Sequence, residues 1–276
     1  MKIILSRKGF DSGTGGYPSP ILPDGRLISL PIPFVKGSRK YDSDAPEYSD
    51  LVFNGNLTYL DLIKKLRLTR LKGTNELNCK CHPDPDIYKN MRKRPMNWRG
   101  AFGQIEIAQK HLENQQISKD DIFLFFGWFR KIDENFKYIG EHLHVIFGYL
   151  QIEEKIPVQK DTKVPHWLES HPHCTTTRRS YDNNTVYISK DRLTFNNSLL
   201  GYGVLNYNEN LILTKRGHHR SQWNLPPFFK GVNISYHTEK SWKDGYFQST
   251  GRGQEFVIHS NKKIENWVKE ILNEGL

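Results

Sequence analysis

The chain has 276 residues and a formal net charge of +10, and 37% of its residues are apolar. This composition predicts a globular protein and excludes a disordered one. No apolar run approaches the ~18 residues of a membrane span, and the first residues do not resemble a signal peptide, so we expect a cytoplasmic protein without membrane contact.

The basic charge favours polyanions such as DNA, RNA or nucleotides, and a merely basic surface is the alternative. The densest basic segment is KNMRKRPMNWR, residues 89–99, with Trp98 inside it. Basic side chains beside an aromatic ring suit phosphate contact with base stacking. We therefore expect a nucleotide or nucleic-acid partner, and the sequence leaves the oligomeric state open.

The first half of the chain is predicted to begin with a short buried strand and to contain two helices. Thr58 can cap the first helix, and Asp61 stands at the position that completes a capping box. Pro31 and Pro33 exclude a helix before it. The predicted elements are a strand at residues 2–5, an extended segment at 27–33 and helices at 58–66 and 103–112.

The second half is predicted to be rich in strands, with an amphipathic helix at the C-terminus. The segments DIFLFFGWF and LHVIFGYLQ are nearly all apolar or aromatic, as for strands buried on both faces. We therefore expect an α+β or mixed α/β fold, with one domain over residues 1–276 and a central mixed or antiparallel sheet. The predicted strands are residues 121–129, 143–151, 185–189, 211–214 and 255–259.

A charged, glycine-rich loop, SRKGFDSGTGGYPSP, follows the first strand. It matches neither standard nucleotide-binding loop, because its prolines block the helix that those loops require. Its glycine N–H groups can form an anion-binding nest, and Asp11 can act as a base; a surface turn is the alternative. The candidates for substrate binding in this loop are Arg7, Lys8, Ser12, Gly15 and Gly16.

The segment CKCHPDPD, residues 79–86, places thiols, an imidazole and carboxylates close together. Each is a potential metal ligand, although the spacing is not that of a zinc knuckle. Since the prolines favour an extended chain, alternation predicts that His82, Asp84 and Asp86 point the same way. The array predicts a divalent metal site or an acid and base on one substrate, with a proline-stiffened turn as the alternative.

Two further histidine pairs are candidates for the same site. HPHC, residues 171–174, can meet the CKCHPDPD cluster in space, although nothing in the sequence requires it. His142 and His144 flank the start of a predicted strand, where alternation places both on one face. His144 is therefore a candidate catalytic residue, with a structural histidine as the alternative.

The remaining candidates for substrate binding lie in the middle of the chain and near its end. GRGQEF places Arg252, Gln254 and Glu255 beside glycines at the start of a strand. These side chains can recognise a base edge or a phosphate, and a plain turn is the alternative. Trp128 is a candidate for stacking against a base.

Six short blocks occur in order: SRKGFDS-x-x-GG-x-PSP, CHPDPD, FLFFGWF, HVIFGYL, SQWNLPPFF and GRGQEFV. Together they resemble the nucleotide modification associated domain 3 family, from residue 6 to residue 257. The resemblance implies a role in systems that make or handle modified nucleic-acid bases, often in phages and bacteria. It implies no particular reaction.

A local resemblance concerns the two apolar segments in the middle of the chain. DDIFLFF and VIFGYL are similar to the core hairpin of PUA-like, ASCH or EVE domains, although Asp120 and Asp121 stand where those domains have Gly-Asp. Those domains are small barrels that hold bases in pockets. The similarity implies a barrel portion around residues 120–152.

Three functions follow as hypotheses. The first is an enzyme acting on a nucleotide or a base in nucleic acid. Asp11 or Asp84 is its base or nucleophile, and the partner acid is His82, His142 or His144. The second is a reader that binds a modified base without chemistry. The third is a nuclease whose divalent metal ion is bound by His82, Asp84 and Asp86.

Overall fold

The structure is a computed structural model that describes residues 1–38, 41–251 and 253–275. None of the helices in these residues is long and apolar enough to cross a membrane. In chain order the strands are β1 Ile3–Arg7, β2 Ser19–Ile21, β3 Ile32–Pro33, β4 Val52–Asn54, β5 Leu57–Thr58, β6 Cys81–His82, β7 Ala101–Gln104, β8 Ile122–Ile132, β9 Tyr138–Pro157, β10 Thr185–Ser189, β11 Arg192–Leu193, β12 Asn196–Leu200, β13 Tyr202–Val204, β14 Gln222–Trp223, β15 Trp242–Lys243, β16 Tyr246–Gln248 and β17 Glu255–Ile258.

The first helix begins as predicted, because Thr58 and Asp61 form the expected capping box. The second begins later than predicted, because residues 101–104 belong to β7 instead. The C-terminal helix buries one apolar face, also as predicted. The helices in the described residues are α1 Tyr59–Lys65, α2 Glu106–Asn114, α3 Thr176–Arg179 and α4 Lys262–Glu274.

The described residues contain a central sheet of eight strands. Six follow the order β17-β1-β8-β9-β10-β7, while β13 pairs with β9 and β2 pairs with β8. β1 is parallel to β8 and antiparallel to β17, so the sheet is mixed and the predicted α+β class is confirmed. The strands close no barrel within the described residues. The barrel portion expected around residues 120–152 is instead the long β8–β9 hairpin of an open sheet.

Aromatic side chains fill the core around the central strands. The Phe102 ring of β7 lies 4.8 Å from the Phe123 ring and 5.3 Å from the Phe125 ring. The Phe126 ring lies 5.2 Å from the Trp223 ring of β14. Burial of each such ring stabilises the fold by about 1.5–3 kcal/mol. These contacts hold β7 and β14 against the hairpin, and β7 contributes Gly103 and Gln104 to a cavity described below.

The carboxyl end of β1 is where distant segments of the chain meet. Because β1 pairs with β17, Ser6 lies opposite Glu255, and Arg7 N donates to Gln254 O at 2.9 Å. On the other side, Lys8 N donates to Phe126 O of β8 at 2.8 Å. Sheet pairing therefore brings the opening loop beside the last strand of the sheet.

Candidate functional site

Two cavities meet at Arg7, which lines both. A third cavity of about 360 Å³ lies elsewhere and contains none of the candidate catalytic, metal-binding or substrate-binding residues named above, although Lys89 of the basic segment lines it. The histidine cavity, of about 420 Å³, is defined by Arg7, Lys8, His82, Asp84, Gln104, His173, Arg178 and Gln254. The tryptophan cavity, of about 300 Å³, is defined by Arg7, Asp11, Ser12, Trp128, His144, His219 and Arg220.

Lys8 and Glu255 form a buried ion pair at the edge of the histidine cavity. Lys8 Nζ lies 2.9 Å from Glu255 Oε1, and the two side chains are only 8% and 1% exposed. Gln104 Nε2 donates to the same carboxylate oxygen, and Lys8 Nζ lies 4.4 Å from the centre of the Phe102 ring. Two residues that were predicted to bind substrate therefore bind each other.

Arg7 is held by the loop that precedes β17. Its Nη2 donates to the carbonyl oxygens of Gly251 and Gly253, both at 2.8 Å. Burial lowers the pKa of Arg7 from its usual value, but a guanidinium remains charged at neutral pH. Arg7 therefore presents a fixed positive charge where the two cavities meet.

Asp84 lies in the wall of the histidine cavity, with its side chain 3% exposed. Its Oδ1 accepts a hydrogen bond from Gly103 N at 3.0 Å and lies 3.3 Å from His171 Nε2. Its Oδ2 lies 3.9 Å from His173 Nε2. Among the described residues, no lysine or arginine forms an ion pair with this carboxylate. Its nearest titratable neighbours are imidazoles.

His173 is held in one tautomer by Asn184. Asn184 Nδ2 donates to the carbonyl oxygens of His173 and Arg178, so Asn184 Oδ1 is the atom that accepts from His173 Nδ1, at 2.9 Å. The lone pair of His173 therefore sits on Nε2, on the side of Asp84. Burial lowers the pKa of His173 to about 3. Gly103 makes room for the ring, because a β-carbon there would lie 2.2 Å from it.

His82 completes a cluster with Asp84 and His173. One potential ligand atom from each residue lies within 4.8 Å of the others, and the two imidazole rings are 5.1 Å apart. Burial lowers the pKa of His82 well below its usual value. The ring is therefore neutral near pH 7, which does not suit the partner acid expected from the sequence.

Asp86 lies outside this cluster, contrary to the prediction from alternation. Asp84 N donates to His82 O at 2.9 Å and so forms a turn that ends β6. The two-residue alternation of side chains therefore does not extend to Asp86. The Asp86 carboxylate instead accepts from Arg92 at 2.8 Å and from Arg94 at 2.7 Å. Burial alone would raise the pKa of Asp86, but the two guanidinium groups hold it below its usual value. The nuclease hypothesis therefore loses one of its carboxylates to a structural ion pair.

His144 and Trp128 lie in the tryptophan cavity. Trp223 Nε1 donates to His144 Nδ1 at 3.0 Å, so the imidazole hydrogen is on Nε2. Burial lowers the pKa of His144 to about 3, and the ring is a neutral hydrogen-bond donor. The Arg220 guanidinium lies 4.1 Å from the centre of the Trp128 ring. This cavity combines a stacked cation with a polar donor.

The opening loop is folded by its own hydrogen bonds. Asp11 Oδ1 accepts from the N–H groups two and three residues ahead, both at 2.7 Å. Gly15 N donates to Lys72 O at 2.9 Å, and Gly16 N donates to Asp11 O at 3.0 Å. Gly15 has a φ of +78°, and a β-carbon there would lie 2.2 Å from the Phe10 ring. The predicted anion nest is therefore not formed by these two N–H groups, and both glycines serve the turn.

Most of the predicted residues line one of the two cavities, whereas Gly15, Gly16, Asp86 and Glu255 line neither. Arg252 lies outside the described residues. The histidines of HPHC do meet the CKCHPDPD cluster, since His171 and His173 lie beside Asp84. The histidine cavity contains the predicted Arg7, Lys8, His82, Asp84 and Gln254. The tryptophan cavity contains Asp11, Ser12, Trp128 and His144. The cavity residues absent from the candidates proposed from the sequence are Gln104, Arg178 and Arg220.

The fold and the site define an α+β protein in which a histidine–aspartate cluster shares a cavity with the buried Arg178 and the half-buried Arg7. A model of the family nucleotide modification associated domain 3 matches residues 2–259. The chain therefore belongs to this family, which confirms the resemblance of its six sequence blocks. The family description connects the chain with nucleotide modification systems. Searches of curated proteins and of solved structures found no match.

Proposed function

We propose that this protein is an enzyme that binds a nucleotide, or a base presented by nucleic acid, in the histidine cavity and modifies it. The observation that carries the proposal is that a buried carboxylate, Asp84, and a buried guanidinium, Arg178, line one cavity without an ion pair between them. The volume of about 420 Å³ falls in the range of ~300–1,000 Å³ that is typical of small-ligand sites. Membership of the family supports a nucleotide as the ligand.

Arg178 supplies the anion-binding group of this proposal. The residue is 5% exposed, its Nε has no hydrogen-bond partner among the described residues, and its guanidinium lies 5.4 Å from the centre of the Phe34 ring. Burial lowers the pKa of Arg178 from its usual value. A buried guanidinium gains from a charge-assisted bond with an anion. A phosphate between Arg178 and Arg7 would provide it.

Asp84 is the group for chemistry, as general base or nucleophile. The Gly103 N–H fixes one carboxylate oxygen, and the other points to the histidines. A base in a duplex cannot reach a buried carboxylate, so a nucleic-acid substrate would have to present its base flipped out of the helix. A free nucleotide needs no such step.

The test is turnover on a panel of nucleotides and modified DNA, with products detected by mass spectrometry. Asp84→Asn is expected to bind nucleotide but to lower turnover by ~10²–10⁴-fold. Arg178→Gln is expected to weaken nucleotide binding by ~10-fold or more, because it removes a charged hydrogen bond. Arg192→Gln, at an exposed arginine of β11 that donates to Ser198 O, is the control and keeps both properties. Full turnover in Asp84→Asn contradicts the proposal.

A second candidate function is a reader of modified bases, and the tryptophan cavity favours it. Bases stack on aromatic rings and on guanidinium planes, and Arg220 lies on Trp128 in this cavity. A reader shows saturable binding that weakens with salt, and no product. Arg220→Gln would then weaken binding of modified DNA by more than Arg178→Gln does. Product formed at catalytic concentrations of the protein contradicts this alternative.

A further inference from the structure

We propose that His82, Asp84 and His173 bind a divalent transition-metal ion in the wall of the histidine cavity. The set differs from the one expected from sequence, because His173 from a distant segment takes the place of Asp86. The inference concerns the same cavity as the proposed function. It does not rest on that function, because metal binding is measured without a nucleotide.

The three side chains are close to coordination distance. A tetrahedral ion with bonds of ~2.0–2.1 Å holds its ligand atoms ~3.3–3.4 Å apart. Asp84 Oδ2 and His173 Nε2 are 3.9 Å apart, and no pair in the cluster is separated by more than 4.8 Å. Small rotations of side chains would close the site, and His82 Nδ1 has no hydrogen-bond partner among the described residues to oppose such a rotation.

The surrounding residues leave the ligand atoms free for a metal ion. Gly103 N donates to Asp84 Oδ1, and His171 Nε2 lies 3.3 Å from the same oxygen, so Oδ2 is the oxygen left for the ion. The Asn184 carbonyl holds His173 Nδ1, which turns the Nε2 lone pair towards Asp84. Histidine ligands of metal ions are usually oriented in this way through their second ring nitrogen.

The donor set decides which ion fits. Two imidazoles and one carboxylate suit Zn²⁺ or Fe²⁺, whereas Mg²⁺ and Ca²⁺ prefer oxygen ligands throughout. The charge of Arg178 on the same cavity opposes any cation, so binding requires coordinate bonds to nitrogen rather than charge alone. Three protein ligands beside a cavity leave a position for water or for an anionic ligand, as in catalytic rather than structural sites.

The experiment titrates metal-free protein with Zn²⁺ by calorimetry and with Co²⁺ by visible absorption. We expect one tightly bound ion per chain and cobalt absorption bands typical of nitrogen and oxygen ligands. His82→Gln and Asp84→Asn are each expected to weaken Zn²⁺ binding by more than ~100-fold. Asn184→Ala, which removes an outer partner, should weaken it by ~10–100-fold.

The control is His166→Gln, at a histidine that is 89% exposed and paired with Glu169. It should leave the affinity for Zn²⁺ unchanged and so exclude adventitious surface binding. Circular dichroism establishes that each variant is folded. If His82→Gln does not fold, Asp84→Asn alone provides the test. Affinity that is unchanged in a folded His82→Gln or Asp84→Asn variant overturns the inference.

The metal site and the proposed function can fail separately. Zn²⁺ binding without nucleotide turnover supports the metal site and contradicts only the proposed function. Turnover without Zn²⁺ binding supports the proposed function and contradicts only the metal site.

Discussion

Asp84 and Asp86 are two residues apart and equally buried, with side chains 3% and 2% exposed, yet their surroundings are opposite. Asp86 lies between two guanidinium groups, whereas Asp84 faces the imidazoles of His171 and His173 and a cavity. A buried carboxylate whose charge is matched by fixed cations is structural in the sense that removing it leaves those cations buried and unpaired. A buried carboxylate without such an ion pair is available for a metal ion or a proton. Burial alone therefore does not distinguish structural from chemical carboxylates.

The largest expected effect is that of Asp86→Asn on stability. The change leaves the Arg92 and Arg94 side chains, 17% and 9% exposed, without their counter-charge, so the free energy of unfolding should fall by ~3–5 kcal/mol. Urea denaturation measures it. The control is Asp191→Asn. The Asp191 side chain pairs with Arg99 but is 83% exposed, so its replacement should change the free energy of unfolding by less than ~1 kcal/mol. Equal losses in the two variants would show that Asp86 is not structural.

The contact between Asp84 and His173 depends on the space that Gly103 leaves for the His173 ring. The variant Gly103→Ala tests this dependence. The new β-carbon would lie 2.2 Å from the His173 ring, so the ring must move and the free energy of unfolding should fall by ~1–3 kcal/mol. Gly251→Ala is the matched control, because a β-carbon there meets nothing within 4 Å. Thermal unfolding of both variants gives the difference. A melting temperature for Gly103→Ala at or above that of the control would mean that the ring adjusts without cost.

Acidification tests whether neutral imidazoles or the paired carboxylate make the protein acid-sensitive. Burial lowers the pKa of His144 to about 3, and the nearby Arg7, Arg220 and His219 add to the shift. An unfolded histidine titrates near ~6.5, so only the unfolded state gains this proton between pH 6.5 and 3, and stability falls as the pH falls. At pH 5 the loss for one such histidine is about 2 kcal/mol.

His144→Gln should therefore lose ~2 kcal/mol less than the wild type between pH 7 and pH 5. Asp86→Asn should lose as much as the wild type over this interval, because the pKa of Asp86 lies below its usual 3.8. Urea denaturation at both pH values measures the differences. If Asp86→Asn lost less stability on acidification than His144→Gln, the paired carboxylate rather than the buried histidine would cause the acid sensitivity.

The smallest effect is expected for Asp84→Asn on stability without metal. The asparagine Oδ1 can still accept from Gly103 N, and the change removes a buried charge that no lysine or arginine among the described residues neutralises, so we expect a change within ~1 kcal/mol. The same urea experiment applies. A loss as large as that of Asp86→Asn would remove the contrast between the two carboxylates.

Local patterns predicted much of the fold. The apolar segments became β8 and β9, and Thr58 and Asp61 formed the expected capping box, because such elements depend on side chains a few residues apart. The prediction that Asp86 points the same way as His82 and Asp84 was wrong, because a turn after β6 ends the strand before Asp86. The prediction of a barrel portion was wrong, because two apolar strands specify a hairpin but do not specify whether the sheet around it closes.

By itself, the sequence determined the family, the apolar hairpin and a set of candidates that includes Arg7, His82 and Asp84. Only the tertiary structure decided which carboxylate is paired with arginines and which faces histidines. For Asp84 the reason is that His171 and His173 come from a distant segment, brought close by the pairing of β7 with β10 and by the space that Gly103 leaves for His173. For Asp86 the arginines lie only six and eight residues further along the chain, and the turn after β6 decides that they reach this carboxylate. The chemistry of Asp84 is therefore a property of its neighbours in space, while its place beside two prolines is a property of the chain.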